Sequence, residues 1–120
     1  MTDAIYMKRC LELAKLGLGR TKTNPLVGCV IVHQNNIIAE GYHSAFGKPH
    51  AEVEAFNKVK DKSILKECAV YVNLEPCSFV GKTPACAALF EANPCKRLIV
   101  GMLDPNPRVA GKGIERLRKA

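Results

Sequence analysis

A chain of 120 residues, 48% hydrophobic and 24% charged, can bury one core without disulfide staples. This composition excludes disorder, collagen and coiled coil, and no apolar run is long enough for a transmembrane helix. The net charge of +7 (18 basic minus 11 acidic side chains) is uneven, with +5 on residues 96–120 and +2 on residues 1–95, which suits a phosphorylated ligand, nucleic acid or a solvated helix face.

The first element expected is an amphipathic helix with Ala4, Met7, Leu11, Ala14 and Leu18 at helical spacing. Thr2 or Asp3 would cap it and Gly17 or Gly19 would stop it. After a polar connection, Val27–Val32 is a continuous apolar run rich in β-branched residues, hence a buried strand. Gln34-Asn35-Asn36 is turn chemistry, and Ile37–Gly41 is the returning strand of a hairpin. A helix is expected near residues 50–60 with Val53 and Phe56 inward, then a strand over Ala69–Leu74. Thr83-Pro84 fits an N-cap followed by proline at the first helical position, opening a helix through Leu89 and Phe90 that stops near Asn93-Pro94. Arg97–Met102 is a fourth strand, Asp104–Pro107 a loop, and Gly111 onward a last helix with Ile114 and Leu117 inward. Strands separated by single helices imply parallel crossovers with helices on both faces. The expected fold is therefore a three-layer α/β/α sandwich with a mixed sheet, in one domain over residues 1–120.

The N-terminus lacks the basic, apolar, small-residue order of a signal peptide, so a cytoplasmic address is expected, with no membrane partner. Cysteines at 10, 29, 68, 77, 86 and 95 are then thiols or metal ligands rather than a disulfide framework. His50-Ala51-Glu52 opens one expected helix, Pro76-Cys77 follows a strand, and Cys86 falls in the first turn of the next helix. One imidazole and two thiolates make three Zn²⁺ ligands with an open fourth position, the pattern of a catalytic site. Both segments fall where a strand passes into a helix, the edge at which open α/β sheets bind ligands. Glu52 could reach the attacking water without ligating the metal, and carry its proton to a leaving amine. The zinc deaminase signature, His-x-Glu followed by Pro-Cys-x-x-Cys, has these parts, although here eight residues separate the two cysteines instead of two. Cys10 and Cys29 lie in apolar stretches and are assigned to the core, and Cys68 and Cys95 flank strands without suitable partners.

Asn24-Pro25-Leu26-Val27-Gly28, His50-Ala51-Glu52-Val53, Leu74-Glu75-Pro76-Cys77-Ser78, Gly81–Cys86 and Asp104–Ile114 together resemble one family. It is the deaminase domain of the bifunctional riboflavin-biosynthesis deaminase/reductase, within the cytidine-deaminase-like superfamily. The resemblance runs from about residue 4 to the end, and the long cysteine spacing and Asp-Pro-Asn-Pro are its specific marks. It implies hydrolytic deamination of a diamino-hydroxy-pyrimidine carrying a phosphoribosylamino group. It also implies a reductase domain using NADPH, on a longer native chain or a separate polypeptide, and homo-oligomers of the kind found among related deaminases. Carried over by position, Asn24 contacts the pyrimidine. His43, Lys82, Asp104 and Asn106 make further substrate contacts, with Lys82 facing the phosphate as a point charge. Three segments depart from the family. Phe79 stands where it has His, removing one side-chain hydrogen bond to substrate; Ala85 replaces a second proline, and Asn93-Pro94-Cys95 a more usual Ala-Gly-Ile.

Two alternatives compete. One is a deaminase of another nucleobase, a nucleoside or a tRNA adenosine, against which stand few aromatics, no basic–aromatic interleaving and the long cysteine spacing. This also argues against a nucleic-acid partner. The other is a non-catalytic zinc module, which would want four protein ligands and would not need Glu52.

Overall fold

The computed structural model describes residues 3–19, 26–44, 50–74 and 86–101, with side chains in the last stretch from Leu89 on. Helix α1 is Asp3–Lys15, followed by the hairpin β1 (Gly28–His33) and β2 (Asn36–Tyr42). Helix α2 (Ala51–Asn57), a 3-10 helix (Lys62–Glu67), β3 (Ala69–Val72), α3 (Cys86–Ala92) and β4 (Arg97–Val100) complete the order. The last expected helix, from Gly111, lies outside the described residues.

The strands form one sheet in the order β2-β1-β3-β4. β1 runs antiparallel to both β2 and β3, and β3 pairs parallel with β4. β2, β3 and β4 therefore point the same way, as expected of strands separated by single helices. β1 is buried along nearly its whole length, because its residues feed two cores by alternation. Val30 and Val32 pack with Tyr6, Cys10, Leu13 and Tyr71 under α1. Cys29 and Ile31 pack on the opposite face with Ala51, Ala55, Phe56, Leu65, Val70 and Phe90. Full burial of a side chain such as Ile31 or Phe56 stabilises by roughly 1.5–3 kcal/mol, so both faces contribute to the three-layer sandwich.

Tight turns and close approaches set the register. Gln34 and Asn35 both have positive φ (50° and 64°), the signature of a two-residue type I′ turn whose twist matches the strands. The pairing slips by one residue between Ile31 and Val32, so Ile38 bulges and its neighbour Ile37 also stands exposed. A Cβ at Gly28 would collide with the carbonyl oxygen of Cys10, so glycine lets the α1 backbone lie against β1.

That close approach explains a correction. The buried face of α1 is Tyr6, Cys10, Leu13 and Ala14, while Leu11 and Leu18 are exposed, at 48% and 72%. The helix carries two apolar stripes, and the one that places Cys10 over Gly28 faces the sheet. The helix also ends at Lys15, earlier than either expected glycine stop. The 3-10 helix was not anticipated. Asp61 caps it by accepting from the Ser63 amide at 3.0 Å and the Ser63 hydroxyl at 2.6 Å. Lys62 reaches back to the carbonyls of Phe56 and Val59 at the end of α2.

Candidate active site

β2, β3 and β4 end at one edge of the sheet, and β1 begins there, with Gly28 paired to Tyr42. Helices α2 and α3 start after β2 and β3, so both begin at this edge. They pack on the same face, where Phe56 and Phe90 meet edge-to-face at 5.1 Å.

Gly41 fixes α2 on the sheet. A Cβ there would meet the Ala55 amide nitrogen at 2.5 Å and collide with the Ala51 carbonyl oxygen, so the first turn of the helix rests directly on β2. His50 stands just before that turn in extended conformation (φ −68°, ψ 164°), and its carbonyl accepts the first helical bond, from Glu54 at 3.0 Å. Its imidazole does not cap the helix. It lies instead against His43, ring centroids 5.3 Å apart and nearly perpendicular. His43 is held from the other side, its amide donating to the Val27 carbonyl at 3.1 Å.

His43 and Glu52, each 3% exposed, are the buried polar or charged side chains among the described residues. Both were singled out from the sequence, and both lie at the carboxyl edge beside His50. Glu52 follows the first residue of α2, where the helix dipole favours a carboxylate. Its charge reaches β1: the Cys29 thiol is pushed well above its ordinary pKa, first by burial and then by Glu52. Cys10, with its thiol donating to the Tyr71 carbonyl, is pushed up to about 12 chiefly by burial, as befits a core cysteine. Cys68 and Cys95 are likewise raised by burial.

The structure brings His43, His50 and Glu52 together and starts α3 with Cys86. Asn24, Cys77, Phe79, Lys82, Asp104 and Asn106 lie outside the described residues, as does the Cys86 side chain. Among the described residues no group of three His, Cys, Asp or Glu could by itself hold a metal. The residue types expected from the sequence, one imidazole and two cysteines, are nevertheless among the preferred ligands of zinc. Asn73 was missed by the sequence reading. Just past β3, its carboxamide accepts from the Gly28 amide at 2.7 Å and donates to the Leu26 carbonyl at 3.1 Å. Its only sequence signal is an asparagine closing an apolar strand.

Residues 1–102 match the family described as the cytidine and deoxycytidylate deaminase zinc-binding region. The riboflavin biosynthesis protein RibD of Synechocystis is 49% identical over the whole chain, which spans 32% of that relative. The diaminohydroxyphosphoribosylamino-pyrimidine deaminase of Buchnera aphidicola is 45% identical over 99% of the chain and 80% of its own length. Among solved structures, RibD of Acinetobacter baumannii superposes with a TM-score of 0.90 at 44% identity, over 98% of this chain and 32% of that one. The chain thus spans about a third of its long relatives and most of the short one. With the mixed sheet, the edge site and these matches in hand, the chain belongs to the cytidine and deoxycytidylate deaminase zinc-binding family and, within it, to the deaminases of riboflavin biosynthesis.

Proposed function

We propose that residues 1–120 form a zinc-dependent deaminase domain that releases ammonia hydrolytically from the diaminohydroxy-phosphoribosylaminopyrimidine of riboflavin biosynthesis. The observation that carries this reading is the burial of Glu52 and His43 beside His50 at the carboxyl edge of the sheet. A buried carboxylate at a sheet edge is a candidate acid–base group, and the task assigned to this one is proton transfer. The 45%-identical relative, named for this deamination and matched over most of its length, supports the substrate.

His50, Cys77 and Cys86 would hold the zinc, which when bound supplies the Lewis acidity that makes water nucleophilic near neutral pH. Glu52 accepts a proton from the attacking water and delivers it to the departing amine. The new C–O bond forms at a ring carbon, the bond from that carbon to its exocyclic amino nitrogen breaks, and that nitrogen leaves as ammonia with the ring intact. Asn24, His43, Asp104 and Asn106 orient the substrate, and Lys82 meets its phosphate. The domain would act in the cytoplasm as a homo-oligomer. A reductase using NADPH would belong to a longer chain, as the length of the Synechocystis relative suggests, or to a separate one, as the short Buchnera relative suggests.

Metal analysis and ammonia release test this directly. One zinc per chain is expected, largely lost in Cys86→Ala, with turnover of the phosphoribosylaminopyrimidine far above that of cytidine, cytosine or tRNA. Faster turnover of one of those three would move the chain to another branch of the family. Zinc without any turnover would leave a metal-binding module.

A further inference from the structure

We infer that Asn73 is a positioning residue for the active site, holding residues 26–28 so that His43 is set against His50. The inference rests on the deaminase reading above. The β1–β3 ladder ends at the pair Cys29–Val72, so Asn73 is the first residue beyond it. There the side chain takes over the pairing. Its Oδ1 accepts from the Gly28 amide at 2.7 Å and its Nδ2 donates to the Leu26 carbonyl at 3.1 Å. A carboxamide presents a donor and an acceptor in one plane, as a peptide group does, and both are used here.

Val27 lies between these two bonds, and its carbonyl accepts the His43 amide at 3.1 Å from the β2 side. The segment is also blocked from the α1 side, where the Cys10 carbonyl crowds Gly28. A continuous path therefore runs from the Asn73 carboxamide through Leu26-Val27-Gly28 to the His43 backbone, and from the His43 ring to the His50 ring, 5.3 Å away. Glu52 is held separately, by the seating of α2 on Gly41. Loss of Asn73 should thus loosen His43, on the substrate side, and leave Glu52 and its proton transfer in place. A hydroxyl side chain has one polar atom and could not satisfy both backbone groups with the same planar pair.

The test is kinetic, on the full chain, with Asn73→Ala and Asn73→Asp. Asn73→Ala is expected to raise KM for the phosphoribosylaminopyrimidine about three- to tenfold, the worth of one ordinary hydrogen bond, with kcat and zinc content near wild type. Asn73→Asp keeps the acceptor for Gly28 but turns a second carboxylate oxygen on the Leu26 carbonyl. Its KM defect relative to wild type at the same pH should shrink as the pH falls and that oxygen gains a proton to donate. The Asn73→Ala defect should not change in this way. Wild-type KM in Asn73→Ala overturns the inference, as does a pH-independent defect in Asn73→Asp, or activity lost only in step with zinc or thermal stability. Should Asn73→Ala not fold, the pH dependence of Asn73→Asp decides alone. A wild-type chain that releases no ammonia from the pyrimidine overturns the deaminase reading itself, and the positioning role with it.

Discussion

Helix α1 is tied to the sheet at its rim by polar groups far apart in the chain. Tyr6 donates to the Asn35 carbonyl at 3.2 Å, Arg9 grips Glu40 through two nitrogens, and Asp3 accepts from both Tyr71 and Arg97. Each face seats a helix on a glycine, α1 on Gly28 and α2 on Gly41, but across the sheet α2 and α3 add two alanines and a pair of phenylalanine rings. The buried polar side chains among the described residues, His43 and Glu52, sit on that side, at the edge where we place the chemistry. Surface pairs let α1 rest where hydrophobic burial puts it, and they cost little to lose. Reactive groups need positions fixed within a fraction of an ångström, which close-packed backbone on backbone provides. Changes on the α1 face should therefore register in stability, and changes on the α2 face in turnover.

The sharpest test of that division is Glu52→Gln. It preserves shape but cannot accept a proton, so turnover should fall by on the order of 10²- to 10⁴-fold while zinc content and melting temperature hold. Equal turnover would make Glu52 a mere first-turn carboxylate. Next comes Gly41→Ala, whose methyl would press on the backbone of Ala51 and Ala55. Overpacking costs roughly 1–3 kcal/mol, and a shift of the first turn of α2 carries His50 and Glu52 with it. A drop in kcat/KM of up to about 10²-fold is expected, beyond what unfolding accounts for. Full activity per folded molecule would show that α2 can move without moving its carboxylate, and would erase the contrast between the faces.

Much of this division was legible in the sequence because it rests on local pattern. β1 announces itself as a continuous apolar run rich in β-branched residues, and its burial on both faces follows from that pattern. His50-Ala51-Glu52 after a strand predicts an imidazole and a carboxylate at a helix start, and both stand there. What failed depended on partners distant in the chain. The apolar residues of α1 allow two inward faces, and only the contact of Cys10 with Gly28 chooses between them. The 3-10 helix Lys62–Glu67 is too short to show a period. Asn73 reads as one more residue of the strand Ala69–Leu74 until β1 is laid beside β3 and its carboxamide meets Leu26 and Gly28.

A smaller effect is expected on the α1 face at high pH. Burial, then Asp3, pushes the Tyr71 hydroxyl up to about 12, and burial pushes the Cys10 thiol to a similar value from 9.0. Both groups are held neutral by the fold and ionise more easily in the unfolded chain. Their contribution to stability is complete below their unfolded values and is lost as pH rises through the folded ones. Melting temperature should therefore fall between about pH 9 and 12, more gently in Tyr71→Phe, which has no proton to lose there. Activity of Tyr71→Phe near neutrality should match wild type. An alkaline slope identical in the two proteins would remove Tyr71 from the account.

The smallest expected effect belongs to Arg9 and Glu40. The pair is bidentate, at 2.6 Å and 3.0 Å, but its side chains remain 41% and 28% exposed, so water and salt screen it. Such pairs are worth about 0.2–1 kcal/mol, and good geometry places this one toward the top of that range. The Arg9 guanidinium holds the Glu40 carboxyl below its ordinary 4.5, so the stability it adds is present above that value and is lost as pH falls through the lowered one. Arg9→Met retains the apolar stem and removes the charge. It should lower the melting temperature slightly at neutral pH and low salt, and the difference from wild type should fade both in high salt and in acid. Because Lys58 also reaches the Glu40 backbone carbonyl, at 2.8 Å, the β2 strand stays attached to the end of α2 in this variant, and kcat/KM should not change. A turnover defect in Arg9→Met would mean that strain on the α1 face passes through β2 to Gly41 and the first turn of α2, and that the two faces of the sheet are mechanically one.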